Sequence, residues 1–72
     1  MPLTLMVNGE TRELDPAPES ASLAAVVAQL ANNPQLVVVE HNGVIAPRSR
    51  WDSILVKDDD TLEIVTIVGG GS

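Results

Sequence analysis

Only one stretch of this chain, Leu23 to Leu30, carries apolar residues at helical spacing. Leu23, Val26, Val27 and Leu30 fall at i, i+3, i+4 and i+7, one face of a helix. The rest reads as strand and turn. That single helix constrains the fold more than any other feature. One amphipathic helix buries its face against a sheet, and it covers one face of one sheet only. The expected architecture is therefore α+β, a mixed sheet of four to five strands covered on one face by one helix. Ser20 or Ser22 supplies the N-cap, and alanines at 21, 24, 25, 28 and 31 favour helix. Asn32-Asn33-Pro34 stops it. No charged residue stands between Ser20 and Pro34, so the helix must draw its stability from packing rather than side-chain ion pairs.

The strands are marked by alternation and by turns. Leu3, Leu5 and Val7 alternate with Thr4, Met6 and Asn8, a period of two. Asn8-Gly9 follows, a hairpin signal because both turn positions take positive φ. Thr11 to Leu14 reads as the return strand, ended by Asp15-Pro16-Ala17-Pro18 because proline cannot continue a ladder. Leu36 to Val39 is a continuous apolar run, expected of a strand covered on both faces or near the sheet centre. Asn42-Gly43 repeats the hairpin signal, Val44 and Ile45 return, and Pro47 ends that strand early. Arg48 to Ser53 reads as a turn or short helical segment, Ile54 to Val56 as a short strand, and Lys57 to Asp60 as a charged turn. Leu62 to Val68 is the last strand, and Gly69 onward cannot hold regular structure. Residues 1–68 thus form one domain and 69–72 a flexible tail.

With 72 residues, such a domain buries only about 60% of its unfolded surface. One Trp, no Phe and no Tyr mean an aliphatic core. In the last strand Leu62, Ile64 and Thr66 share one face; Glu63, Val65 and Ile67 share the other. Since the helix covers one face, Val65 and Ile67, with Met6 and Val68, are the candidates for an exposed partner surface. Short strands and loops covering them are the alternative.

Charge and composition exclude several functions. The net charge of −6, with Lys and Arg numbering four, leaves no phosphate-neutralising surface for nucleic acid. It suits a basic protein partner. The absence of cysteine removes disulfides, thiolate metal sites and cysteine nucleophiles. No apolar stretch approaches the roughly 20 residues that span a bilayer, and the start has no signal-peptide pattern. A cytoplasmic protein is expected. No nucleophile–base pair, metal cluster or phosphate loop is present, so an enzyme is the least expected class.

Gly69-Gly70-Gly71-Ser72 is the feature with chemical potential. Four residues extend about 13 Å at ~3.3 Å each, and glycine can thread a channel too narrow for side chains. A free α-carboxyl, with an ordinary pKa of ~3.3–3.7, is ionised at neutral pH. It can attack the α-phosphate of ATP to give an acyl-adenylate, which a sulfur or nitrogen nucleophile then opens. A flexible linker or an expression scar has the same composition.

The order of these segments resembles the ThiS family of sulfur carriers in thiamin thiazole biosynthesis. Val39-Glu40-His41-Asn42-Gly43-Val44-Ile45-Ala46-Pro47-Arg48-Ser49-Arg50-Trp51 is similar to the family's strand, turn, Pro-Arg and Trp segment. Asp58-Asp59-Asp60-Thr61-Leu62-Glu63-Ile64-Val65 is similar to its Asp-Gly-Asp turn and final strand, and Val68-Gly69-Gly70-Gly71 to its C-terminus. The resemblance implies a ubiquitin-like β-grasp fold. It implies adenylation of the terminal glycine, Gly71 here, by a ThiF-type adenylyltransferase that uses ATP and a metal, neither of them bound by this chain. Gly69 and Gly70 would enter the partner's active site. It further implies conversion to a thiocarboxylate with sulfur from a cysteine desulfurase relay, and delivery to thiazole synthase, ThiG. Two positions depart from the family. Asp59 stands where glycine is common, and aspartate tolerates positive φ moderately well. Ser72 follows the glycine that should carry the carboxyl; Gly71 is the expected functional terminus. A MoaD-like carrier for molybdopterin synthesis, a ubiquitin-like modifier and a plain binding module are the alternatives.

The remaining candidates have plainer roles. His41, the sole histidine, has no second ligand to join it and reads as a strand-end surface residue. Asp58, Asp59 and Asp60 read as a solvated turn, since calcium needs six or more oxygens. Glu10, Glu13, Asp15 and Glu19 form no inferable pair. Arg48 and Arg50 are expected to pair with local acids rather than bind phosphate. Trp51 is expected to anchor the adjoining loop by packing.

Overall fold

The computed structural model describes residues 2–67. Strand β1, Leu3–Val7, turns through Asn8 (φ 51°) and Gly9 (φ 81°) into β2, Glu10–Leu14. Both turn residues take positive φ, as an Asn-Gly hairpin requires. Helix α1, Leu23–Leu30, follows. Ser22 is its N-cap, with the side-chain oxygen accepting from the Ala25 N–H at 3.2 Å; of the two expected serines, this is the one that fits. A 3-10 turn at Pro34–Leu36 leads into β3, Val37–His41, which turns through Asn42 (φ 52°) and Gly43 (φ 84°) into β4, Val44–Ala46. A second 3-10 turn spans Arg48–Arg50, and the last strand, β5, is Thr61–Thr66.

The five strands form one sheet in the order β2-β1-β5-β3-β4. The strand last in sequence is thus central in space. It runs parallel to β1, with Val7 beside Leu62, and antiparallel to β3, with Val39 beside Ile64. This is the ubiquitin-like β-grasp arrangement, and it meets the expected fold class. Leu3, Leu5, Val7, Leu14, Val37, Val39, Ala46 and Leu62 point from the sheet into the core. Leu23, Val26 and Val27 meet them from the helix, each fully buried. Leu30 is half-buried at the edge. Burying a Val or Leu side chain is worth about 1.5–3 kcal/mol, so the aliphatic layer carries the fold.

Three expectations shift. Leu36 belongs to the 3-10 turn, and β3 begins one residue later. Thr61 opens β5, and Ile67 stands just past its end, while Val68 lies outside the described residues. Ile54 to Val56 is not a strand. It makes one bridge, Ser22 to Leu55, and its backbone serves the helix start: Leu23 N–H donates to Ile54 O at 2.7 Å, and Val56 N–H to Ala21 O at 2.8 Å. The segment is spent on tying down the helix N-terminus, where backbone donors lack intrahelical partners.

Candidate functional site

Strand alternation sends one set of side chains into the core and the other outward. Among the described residues, no helix lies over the outward face of the sheet. Val38 and Val65 stand directly opposite each other there, and the next outward pair is Glu40 and Glu63. Ile45 stands opposite Glu40 on β4. Val65 is 60%, Ile67 53%, Ile45 64% and Val38 40% exposed. These four apolar residues gather at one end of the open face. A groove of about 390 Å³ runs beside them, between Gln35, Pro47 and Arg48.

The patch differs from the expected one. Met6 is exposed, as anticipated, but the register pairs it with Thr61, four residues along β5 from Val65. At ~3.3 Å per residue that is about 13 Å away along the sheet. Val38 and Ile45 take its place. The apolar run Leu36–Val39 concealed Val38, because a continuous run signals two covered faces and here one face is open. The usable signal was the lone helix, which leaves every outward residue of a central strand uncovered. The expected carrier residue Gly71, with Gly69, Gly70 and Val68, lies outside the described residues.

The patch includes Ile67, the last described residue before that segment. The Ile67 N–H donates to Leu36 O at 2.6 Å, one step beyond the Val37–Thr66 pair. The ladder therefore holds the chain right up to Ile67.

Behind this end of β3 lies a polar clasp. Trp51 is buried, as expected of an anchor, and its Nε1–H donates to Ala46 O at 2.9 Å. The Arg48 guanidinium lies over the indole ring, 4.6 Å from its centroid. Its Nη2 donates to Pro34 O at 2.8 Å and to Val37 O at a longer 3.4 Å. The expected pairing of Arg48 and Arg50 with acids is not what forms: among the described residues, the one basic–acidic side-chain contact within 4 Å joins His41 and Asp60 at 2.8 Å. Arg48 is taken up by carbonyls and an aromatic face that the fold brings within its reach.

At the opposite end of β5, the aspartates are turn-forming residues rather than merely solvated ones. Asp60 Oδ2 accepts from Lys57 N–H at 2.9 Å and lies 2.8 Å from His41 Nε2, and Oδ1 accepts from Asn42 Nδ2 at 3.2 Å. Burial pushes the Asp60 pKa up, but the bonds from Lys57, His41 and Asn42 outweigh it and leave it below its ordinary value. Asp58 Oδ1 accepts from Thr4 N–H at 2.9 Å. Asp59 has φ 70°, a left-handed position that suits the glycine common there in the resembled family. His41 is thus a turn partner rather than a free surface residue. Among the described residues, no group of three or more His, Cys, Asp or Glu could hold a metal ion, and no helix is long and apolar enough to cross a membrane.

The ThiS family model matches residues 5–71. The chain belongs to the ThiS family. A crystal structure of the thiamine biosynthesis protein ThiS from Geobacter metallireducens is similar, with a TM-score of 0.79, 34% identity and coverage of 96% of this chain and 100% of that one. A solution structure of a thiamine biosynthesis protein from the same organism gives 0.78 at 32% identity, covering 97% and 90%. A relative named thiazole synthase, from Paramagnetospirillum magneticum, is 37% identical over 70 residues. Those residues are 97% of this chain and 21% of that protein, so the ThiS-family chain spans about a fifth of that relative's length.

Proposed function

We propose that this chain is a ThiS-type sulfur carrier for thiamin thiazole biosynthesis, a co-substrate of partner enzymes rather than an enzyme. One observation carries the reading: in a ThiS-family chain, the exposed patch of Val38, Ile45, Val65 and Ile67 includes Ile67, two residues before Gly69 in the sequence. A partner that grips this patch receives Gly69–Gly71 within about 13 Å of its contact surface.

The chemistry follows from the carboxyl of Gly71, once Ser72 is absent. A ThiF-type adenylyltransferase supplies ATP and its metal. The carboxylate oxygen attacks the α-phosphorus, pyrophosphate leaves, and an acyl-adenylate forms. A sulfur nucleophile from a cysteine desulfurase relay attacks the carbonyl carbon and AMP departs. With a persulfide as that nucleophile the product is an acyl disulfide; a thiol then attacks the donor-side sulfur, the S–S bond breaks, and a thiocarboxylate is left on Gly71 with the thiol and the donor joined as a disulfide. The need for ATP fits a cytoplasmic site. Thiazole synthase is the proposed acceptor, and this is supported by the ThiS-like stretch within a relative that bears that name.

The test is a mass measurement. The chain ending at Gly71 is incubated with its organism's adenylyltransferase, ATP and a sulfur donor. A gain matching one sulfur-for-oxygen exchange is expected. No gain, with an enzyme active on its own substrates, sinks the proposal.

A further inference from the structure

Strand β4 ends before the sheet does. Its two-residue turn makes His41 and Val44 a hydrogen-bonded pair, so Val39 and Ala46 form the next such pair along the antiparallel ladder. Two residues further, Val37 would meet Arg48. Pro47, with φ −62° and ψ 142°, is still extended, but the chain then leaves the ladder for the Arg48–Arg50 3-10 turn. Val37 O should therefore lack its ladder partner. The Arg48 side chain occupies the vacated place: its Nη2 donates to Val37 O at 3.4 Å and to Pro34 O at 2.8 Å. The guanidinium lies over the buried Trp51 ring, 4.6 Å from its centroid, and Trp51 is itself fixed by its bond to Ala46 O.

The other side of the same short segment holds Ile67. Leu36 O, between the two carbonyls that Arg48 fastens, accepts the Ile67 N–H at 2.6 Å. Arg48 thus braces residues 34–37 from one side, while the last described hydrogen bond before the glycines hangs from the other.

We infer that Arg48 is a positioning residue for carrier loading: it fixes the segment that anchors Ile67 and so sets where the glycine segment leaves the domain. This rests on the carrier function proposed above. It separates two jobs. The patch of Val38, Ile45 and Val65 governs how well a partner holds the chain, and Arg48 governs how often the Gly71 carboxyl reaches the reacting phosphorus once the chain is held. Reaction rates are sensitive to displacements of about 1 Å, which cost on the order of 100-fold.

The experiment uses the chain with Gly71 terminal, as wild type, Arg48→Ala and Arg48→Lys. Amide exchange is followed at Ile67 and, as a core reference, at Val39. Adenylation by the organism's adenylyltransferase is followed as pyrophosphate release with the carrier as varied substrate. For Arg48→Ala, the Ile67 amide should exchange about tenfold faster relative to Val39, the scale of a lost charge-assisted hydrogen bond. The value of kcat should fall about tenfold or more, with KM within about twofold. Arg48→Lys should recover part of both effects, because one ammonium can still bridge two carbonyls but cannot stack flat on Trp51. If the alanine variant does not fold, the lysine variant is held to the same two measurements. Unchanged Ile67 exchange relative to Val39 overturns the inference. So does a loss confined to KM. A wild-type chain that is never adenylated refutes the carrier function instead, and the exchange measurement still decides whether Arg48 braces Ile67.

Discussion

Replacing Asp60 with alanine removes the carboxylate that joins its own turn to the β3–β4 hairpin. Its oxygens bind Lys57 N–H in its own turn and meet His41 and Asn42 at the β3–β4 hairpin. The Asn42 Oδ1 in turn accepts the Thr61 N–H at 2.8 Å, so the loss reaches the first residue of β5. A hydrogen bond to a charged group is worth about 1.5–3 kcal/mol, and the neutral bonds add less. The Asp60 side chain is 17% exposed, so solvent screening takes only part of this. Asp60→Ala should cost about 2–3 kcal/mol at pH 7 by the same scale. For a domain of this size that is a drop in Tm of about 10–20 °C. The pH dependence has a definite sign. Asp60 is partly buried, which raises its pKa, yet its hydrogen bonds bring it below its ordinary value in the folded state. Its contribution is therefore fully present above the unfolded value of ~3.9 and is lost as pH falls through the folded value. Urea unfolding at pH 7, 5 and 3 tests this. The gap between wild type and Asp60→Ala should hold from pH 7 to 5 and narrow toward pH 3. A gap under about 0.5 kcal/mol at pH 7, no larger than an ordinary surface substitution, would refute the reasoning; so would a gap that widens with acid.

Three further outcomes follow from the geometry. Trp51→Phe keeps most of the packing but removes the donor to buried Ala46 O, and should cost about 1–3 kcal/mol by chemical denaturation. Asp59→Gly relieves a non-glycine residue at φ 70° and should stabilise by up to about 1 kcal/mol, whereas Asp59→Val should lose about as much or more; thermal melts of the pair check the opposite signs. Val38→Ser with Val65→Ser changes residues that are 40% and 60% exposed. The double variant should shift Tm little, yet raise the carrier's KM for the adenylating enzyme about tenfold or more, in the range of interface hot spots. Unchanged KM would remove the patch from the proposed function.

Much of the architecture was legible because its signals are local. Helix spacing, the Ser22 cap and the two Asn-Gly turns each act within a few residues, and each stands where expected. Ile54 to Val56 was misread because its apolar triplet has the same local pattern whether it joins a sheet or fastens a helix end. Arg48 was misread because its partners, Pro34 O, Val37 O and the Trp51 face, are not acids, and two of them lie 14 and 11 residues away. The exposed apolar patch was half visible: alternation on β5 exposed Val65 and Ile67, but no local rule says that Met6 and Val65 fall at different ends of the sheet.

By itself, the sequence determined that a lone helix must lie on one face of one aliphatic sheet, where hairpins turn, and that a run of three glycines, Gly69–Gly71, follows the last strand. Periodicity and turn chemistry operate over single turns and pairs of residues, so they survive without a structure. Only the tertiary structure decided that the last strand is central, that its parallel register with β1 separates Met6 from Val65, and that Val38 and Ile45 complete the patch. Strand order and register depend on pairings between residues far apart in sequence, and shifting a register by one residue moves every side chain to the other face. The brace of Arg48 behind Ile67 belongs to that second class, since it exists only where β4 stops short of β3.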